Sequence, residues 1–202
     1  MPYLLRVELP DVPGSLGRLA SAIGEAGGDI EAIEIVEKRH DGVAVDDVLL
    51  EMAPGSMPDS VISACSALPG VAVVWISHYA PGGNLILDLE AVEELTIEPS
   101  TAIERLVDLL PGTFRADWGL RLHRSHGVVA RTGAAPTALE FVELERPTRL
   151  EVAGDDITLY AAARLDGNQI IVIGRRGGPD FLDSELARLE HLVGLAVTIS
   201  RS

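Results

Sequence analysis

The sequence predicts an α+β protein built from two modules. Three observations predict it. Up to residue 79, short alternating apolar runs and amphipathic runs follow one another in the order β-α-β-β-α-β. A Pro/Gly cluster, Ala80-Pro81-Gly82-Gly83-Asn84, then breaks the pattern, and beyond it come two helical segments, a series of strands and a closing helix. We therefore expect a first domain at 1–79, a linker at 80–84 and a second domain at 85–202.

In the first module, Leu5, Val7 and Leu9 alternate in a strand over 3–10. Leu16, Leu19, Ala20 and Ile23 fall on one face of a helix over 14–26. A strand at 30–38 carries Ile30, Ile33 and Ile35, and His40-Asp41-Gly42 turns the chain into a strand at 43–52. Val61, Ile62, Cys65 and Leu68 share a face of a helix at 58–68, which leads to a last strand at 71–78. This order predicts a ferredoxin-like split βαβ unit, a four-stranded antiparallel sheet with two helices on one face. The pair Asp46-Asp47 sits awkwardly in it, because one of two successive strand residues must point toward the helices. A bulge or an edge position would each resolve this.

In the second module, Leu85, Leu89 and Val92 have helical spacing over 85–95. Pro99-Ser100 opens a helix carrying Ile103, Leu106, Val107 and Leu110, and Pro111-Gly112 is expected to end it. Trp118, Leu120 and Leu122 then alternate in a strand that turns at Ser125-His126-Gly127 into Val128-Val129-Ala130. Strands follow at 148–153, 157–165 and 168–175, and a helix at 183–197 carries Leu186, Leu189, Val193 and Ala196.

The first strand-to-helix turn, Asp11-Val12-Pro13-Gly14-Ser15-Leu16, has the composition of an anion-binding turn. Asp11 and Ser15 are candidate caps for the first amides of the helix. Pro13 presets φ, and Gly14 lets a small ligand approach its amide. Together with the positive end of the helix dipole, these donors suit a carboxylate.

Composition narrows the function. At 202 residues and 47% hydrophobic, the chain can fill one large or two small cores. The net charge of −15 divides as −8 over residues 1–79 and −7 over the rest, which argues against direct nucleic-acid binding. No apolar run is long enough to span a membrane, and the start Met1-Pro2-Tyr3-Leu4 lacks a leader pattern, so a cytoplasmic protein is expected. The single cysteine, Cys65, reads as a buried structural residue. Lys38 is the chain's one lysine among 16 basic residues.

Some side chains invite an enzymatic reading. Asp117, Arg121 and His123 share one strand face, with His126 in the adjoining turn. His123-x-x-His126 lacks a helix to align its rings and further ligands nearby, so no metal is expected and a solvated polar face is preferred. The turn Gly174-Arg175-Arg176-Gly177-Gly178 is a basic loop suited to an anion, without a phosphate-loop pattern. Neither Ser15 nor Ser125 lies in a nucleophile elbow.

Through Asp11-x-Pro13-Gly14-x-Leu16, Gly28-Asp29-Ile30 and the strand-hairpin-strand that follows, residues 3–79 resemble the ACT domain. The resemblance implies a regulatory module that binds an amino acid or similar metabolite between two copies. It implicates Asp11, Val12, Pro13, Gly14, Ser15 and Leu16, with Gly28, Asp29 and Ile30 across the pocket. Many amino-acid-binding members have Asn where this chain has Asp29, a change that disfavours a carboxylate nearby and favours an ammonium. Residues 85–200 resemble a small GAF-type domain, carried by helix 99–110, Ala116-Asp117-Trp118-Gly119-Leu120-Arg121-Leu122, Ile171-Val172-Ile173-Gly174 and Phe181-Leu182-Asp183-Ser184-Glu185-Leu186. Residues 133–147 replace the longer segment that commonly covers the ligand there, and the module has no cysteine for a chromophore, so its helices 85–110 and 183–197 are expected to serve as a dimer platform. The resemblances imply a non-enzymatic, homodimeric sensor without a cofactor that signals to a protein partner. A small enzyme centred on Asp117, Arg121, His123 and His126, and an interaction protein with a vestigial pocket, are the alternatives.

Overall fold

A computed structural model describes residues 2–78 and 83–202, with the side chains of 83–86 excepted. The chain divides into two compact units, Met1–Pro81 and Gly82–Ser202. The division falls within the expected linker, whose residues 80–82 lie outside the described residues.

The first unit runs β1 (Pro2–Pro10), α1 (Ser15–Glu25), β2 (Gly28–Lys38), β3 (Val43–Met52), α2 (Pro58–Ser66) and β4 (Ala72–His78). Its antiparallel sheet has the order β2-β3-β1-β4, the ferredoxin-like arrangement. Leu5, Val7 and Leu9 of β1 and Ala44, Val48 and Leu50 of β3 face the helices and pack against Leu19, Ile23, Val61 and Cys65. Cys65 is fully buried, and burial raises its thiol pKa, as fits a packing role. Gly28 closes the α1–β2 turn: a Cβ there would lie 2.6 Å from Ile23 Cγ2.

The Asp46-Asp47 pair is resolved differently from either expectation. Strand β3 is interior, and the irregularities fall in its partner β2, between Ile30 and Ala32 and between Ile35 and Glu37. Asp47 faces away from the helices, where Arg6 grips it from β1 with bonds of 2.6 and 2.8 Å. Asp46 is left on the helix-covered face.

The second unit runs α3 (Gly83–Ile97), a 3-10 turn (Pro99–Thr101), α4 (Ala102–Phe114), β5 (Trp118–His123), β6 (Gly127–Arg131), β7 (Thr148–Leu150), β8 (Thr158–Arg164), β9 (Gln169–Arg176) and α5 (Asp183–Ile199). Its antiparallel sheet has the order β6-β5-β9-β8-β7. Ala161, Ala163, Ile171 and Ile173 on one face pack against α3, α4 and α5. On the other face Leu120, Leu122, Tyr160, Ala162, Ile170 and Val172 are covered by Ala135 and Leu144, with Leu139 and Phe141 at the margin. The segment after β6 thus fills this face of the sheet.

Two helix expectations need correction. Leu89 of α3 is exposed, and Ala91 and Leu95, four residues apart, supply the buried stripe with Val92 beside them. Leu85's side chain lies outside the described ones. Helix α4 does not stop at Pro111-Gly112 but runs through to Phe114. Pro111 has no N–H to give to the Val107 carbonyl, and β5 approaches that carbonyl through Gly119, where a Cβ would lie 2.8 Å from the oxygen. Burial of Thr113 and Phe114 holds the last turn in place, and Arg115 ends it with φ 48°.

Among the described residues, no helix is long and apolar enough to cross a membrane.

Candidate functional site

The turn from β1 into α1 is built by backbone rather than by side-chain caps. Asp11 N–H donates to the Gly42 carbonyl at 2.8 Å, tying the turn to the β2–β3 hairpin. Ser15 N–H donates to Val12 O at 3.1 Å, and the first helical bond runs from Arg18 N–H to Gly14 O. Gly14 is the N-cap residue with φ 89°, a left-handed conformation that glycine adopts without strain.

Neither expected cap operates. Asp11 turns outward and accepts two bonds from the Lys38 ammonium, at 3.0 and 3.1 Å. The Ser15 hydroxyl is buried and accepts from Arg18 Nη2 at 3.0 Å. The N–H groups of Gly14, Leu16 and Gly17 consequently have no acceptor among the described residues. The Arg18 guanidinium lies beside them, with Nη1 3.6 Å from where a Gly14 Cβ would stand. Three free donors, a helix N-terminus and an adjacent arginine suit a small anion.

The remaining expected residues sort by place. Val12 (53% exposed), Pro13 and Gly14 form the rim, whereas Leu16 is half-buried against the core. Gly28, Asp29 and Ile30 begin β2 and pair with Met52, Glu51 and Leu50, while the turn at Asp11 contacts the opposite, Gly42 end of the sheet. Helix α1 separates the two groups by about 16 Å. One chain does not bring them into a single pocket.

Sequence reasoning missed Arg18 and the role of Lys38, and singled out Asp46 only as an awkward strand residue. Arg18 lies four residues after Gly14, one helical turn along, which is a readable signal. Asp46 is 2% exposed, and its Oδ1 has no hydrogen-bond partner. Burial, then the nearby Asp11 charge, pushes its carboxyl above the usual range against the opposing pull of Lys38.

The residues of the enzymatic alternative are scattered. Asp117 accepts from the Arg176 N–H at 2.6 Å, at the far end of β5 and roughly 20 Å along the strand from His123. Arg121 pairs with Glu104 of α4 at 2.8 Å. The His123 and His126 rings lie 4.4 Å apart at a tilt of 47°, and His123 Nδ1 accepts from Ser125 N–H. Among the described residues, no group of three or more His, Cys, Asp or Glu is placed to hold a metal.

In the basic stretch 174–178, Arg175 is turned into the fold rather than toward an anion. Arg175 is buried, donates to the Phe114, Arg115 and Pro179 carbonyls, pairs with Glu185 at 2.8 Å and lies over the Phe181 ring. It closes the C-terminus of α4 and is spent on the fold.

Comparison with known proteins agrees with the first unit's geometry. Residues 3–55 match the model of the ACT domain, a small-molecule-binding regulatory module, from β1 to just past β3. No curated protein matches the chain. Similar solved structures include a GAF domain from Pseudomonas syringae pv. tomato, with 19% identity, TM-score 0.44, and coverage of 56% of this chain and 83% of that one. The GAF domain of an Acinetobacter phosphoenolpyruvate-protein phosphotransferase is 14% identical with TM-score 0.44, over 58% of this chain and 92% of that one. A formyltetrahydrofolate deformylase from Pseudomonas putida KT2440 is 9% identical with TM-score 0.36, over 99% of this chain and 93% of that one.

Proposed function

We propose that this protein is a cytoplasmic, non-enzymatic regulatory sensor. Residues 1–79 bind an amino acid or similar small metabolite, and residues 85–202 form a second module joined by the segment 80–84. The observation that carries this reading is the set of free N–H groups of Gly14, Leu16 and Gly17 beside Arg18, within the stretch that matches the ACT model. A ligand carboxylate accepts these hydrogen bonds without displacing any bond of the fold.

The ligand lies between two copies of the chain. Asp11 to Leu16 of one copy and Gly28, Asp29 and Ile30 of the other line one pocket, which reconciles their separation within a single chain. Binding across the interface stabilises the dimer by mass action, and the altered pairing is the signal passed to a protein partner.

Thermal unfolding against the twenty amino acids and a few nucleotides tests this. Gly14→Asp is the control: Asp tolerates left-handed φ better than most residues, and its carboxylate would meet Arg18 and the free amides itself. Stabilisation by an amino acid that is lost in a folded Gly14→Asp variant supports the sensor. Absence of any shift overturns it and favours the interaction protein.

A further inference from the structure

Helices α3 and α4 leave an open groove on the second unit. Leu87, Ala91 and Ile97 of α3 and Leu109 and Gly112 of α4 line a space of about 690 Å³. Ala91 is buried at its floor, whereas Ile97, the last residue of α3, is 71% exposed. Gly112 has open space where a Cβ would stand, so α4 leaves the groove unfilled there. From Leu87 to Ile97 the helix rises about 15 Å, nearly three turns.

The rim of this groove is acidic. Glu90 and Glu93 border it, and Glu98 and Asp108 border a smaller hollow that meets it at Glu94 and Ile97. Arg105 is taken by Glu94 at 3.0 Å, and Glu104 is taken by Arg121 at 2.8 Å. Glu90, Glu93, Glu98 and Asp108 are exposed and have no ion pair among the described residues. Carboxylates gathered round exposed apolar surface favour a cationic partner. A second copy of this chain fits poorly, because two-fold pairing through the groove sets the same acids against themselves, and the chain carries 31 acidic residues against 16 basic ones. Nucleic-acid backbones and anionic lipid surfaces are repelled for the same reason.

We propose that the α3–α4 groove docks a basic amphipathic helix of a partner protein. Apolar residues of that helix, spaced at i, i+3 or i+4 and i+7, sit on Ala91, Ile97 and Leu109, and Lys or Arg on its flanks pairs with Glu90, Glu93, Glu98 and Asp108. The apolar contacts supply affinity, and the flanking charges select the partner and set its orientation. The inference concerns the second unit alone and holds whether or not the first unit takes a ligand.

Fluorescence anisotropy with the full chain at about 0.15 M salt tests it. The probes are labelled helical peptides of about 14 residues, nearly four turns: a leucine stripe flanked by lysines, the same stripe flanked by glutamates, and the lysine peptide with serine in place of leucine. Only the first is expected to bind. Glu90→Lys with Glu93→Lys, and separately Gly112→Phe, which fills the groove from an open position, are each expected to weaken binding at least tenfold. Glu31→Lys with Glu34→Lys, an equal change of charge on exposed residues of β2, is expected to leave the affinity within about twofold. Equal weakening by the two lysine pairs, or a serine peptide that binds as tightly as the leucine one, shows diffuse attraction to an acidic protein and overturns the proposal. So does a folded Gly112→Phe that binds like the wild type. Absence of binding by every peptide overturns it as well, and a dimer that Gly112→Phe breaks, seen by sedimentation, would then put a second copy in the groove.

Discussion

Arg6 on β1 grips both carboxylate oxygens of Asp47 on β3, at 2.6 and 2.8 Å, in an ion pair almost wholly removed from water. Removing one partner leaves the other charge buried. Asp47→Ala is expected to cost about 3–5 kcal/mol in urea unfolding, whereas Arg6→Met with Asp47→Leu restores most of it. A double variant as unstable as the single one would refute this account.

The neighbouring acid behaves in the opposite way. Asp46→Asn is expected to stabilise the protein at pH 7 by about 1–2 kcal/mol, because it removes a buried charge without a partner. Its surroundings are Asp11, Lys38 and Asp47. Burial raises this carboxyl in the folded state, so its contribution is most favourable below the unfolded value near pH 4 and is lost as pH rises through the folded value. The advantage of Asn over Asp should therefore shrink on acidification, as urea midpoints at pH 7 and pH 3.5 would show.

Arg175→Met is expected to destabilise the second unit by roughly 2–4 kcal/mol, since it removes the buried ion pair with Glu185 and the hydrogen bonds to the carbonyls of Phe114 and Arg115. Thermal unfolding followed by Trp fluorescence reads the loss. If the turn at 174–178 instead held an anion, the variant would lose binding and keep its melting temperature.

Gly174→Ala is expected to cost about 1–3 kcal/mol. A Cβ at this position would fall within the indole of Trp118, which lies against β9 and meets Tyr160 edge-on at 5.5 Å. Near-ultraviolet circular dichroism should report the displaced indole, and an unchanged spectrum and stability would contradict the packing described.

Asp155 accepts the N–H groups of Ile157 and Thr158 and the Tyr160 hydroxyl, which hold its carboxyl far below the usual range. A depressed carboxyl contributes stability above its unfolded value that is lost as pH falls toward the folded one. Asp155→Asn should thus destabilise most at neutral pH and progressively less in acid, measured by urea midpoints across pH 7 to 2.

The order of strands and helices was legible because apolar period alone carries it: Leu5, Val7 and Leu9 alternate, and Leu186, Leu189, Val193 and Ala196 share a helix face. Local rules failed where distant residues intervened. Pro111 reads as a stop in isolation, yet Gly119 on another element makes room for the carbonyl it frees. Asp11 and Ser15 read as caps, but Lys38 and Arg18 claim them first.

The sequence by itself determined two α+β modules and a turn rich in anion-binding residue types, since periodicity and turn chemistry are local properties of the chain. Tertiary structure alone decided which amides stay free, that Arg175 is spent on a helix end, and that Asp46 rather than Asp47 lacks a partner. The physical reason is that hydrogen bonds and ion pairs are exclusive. Each donor or charge is committed to whichever partner the fold brings within reach, and residues 41 positions apart, such as Arg6 and Asp47, meet only once the sheet has formed.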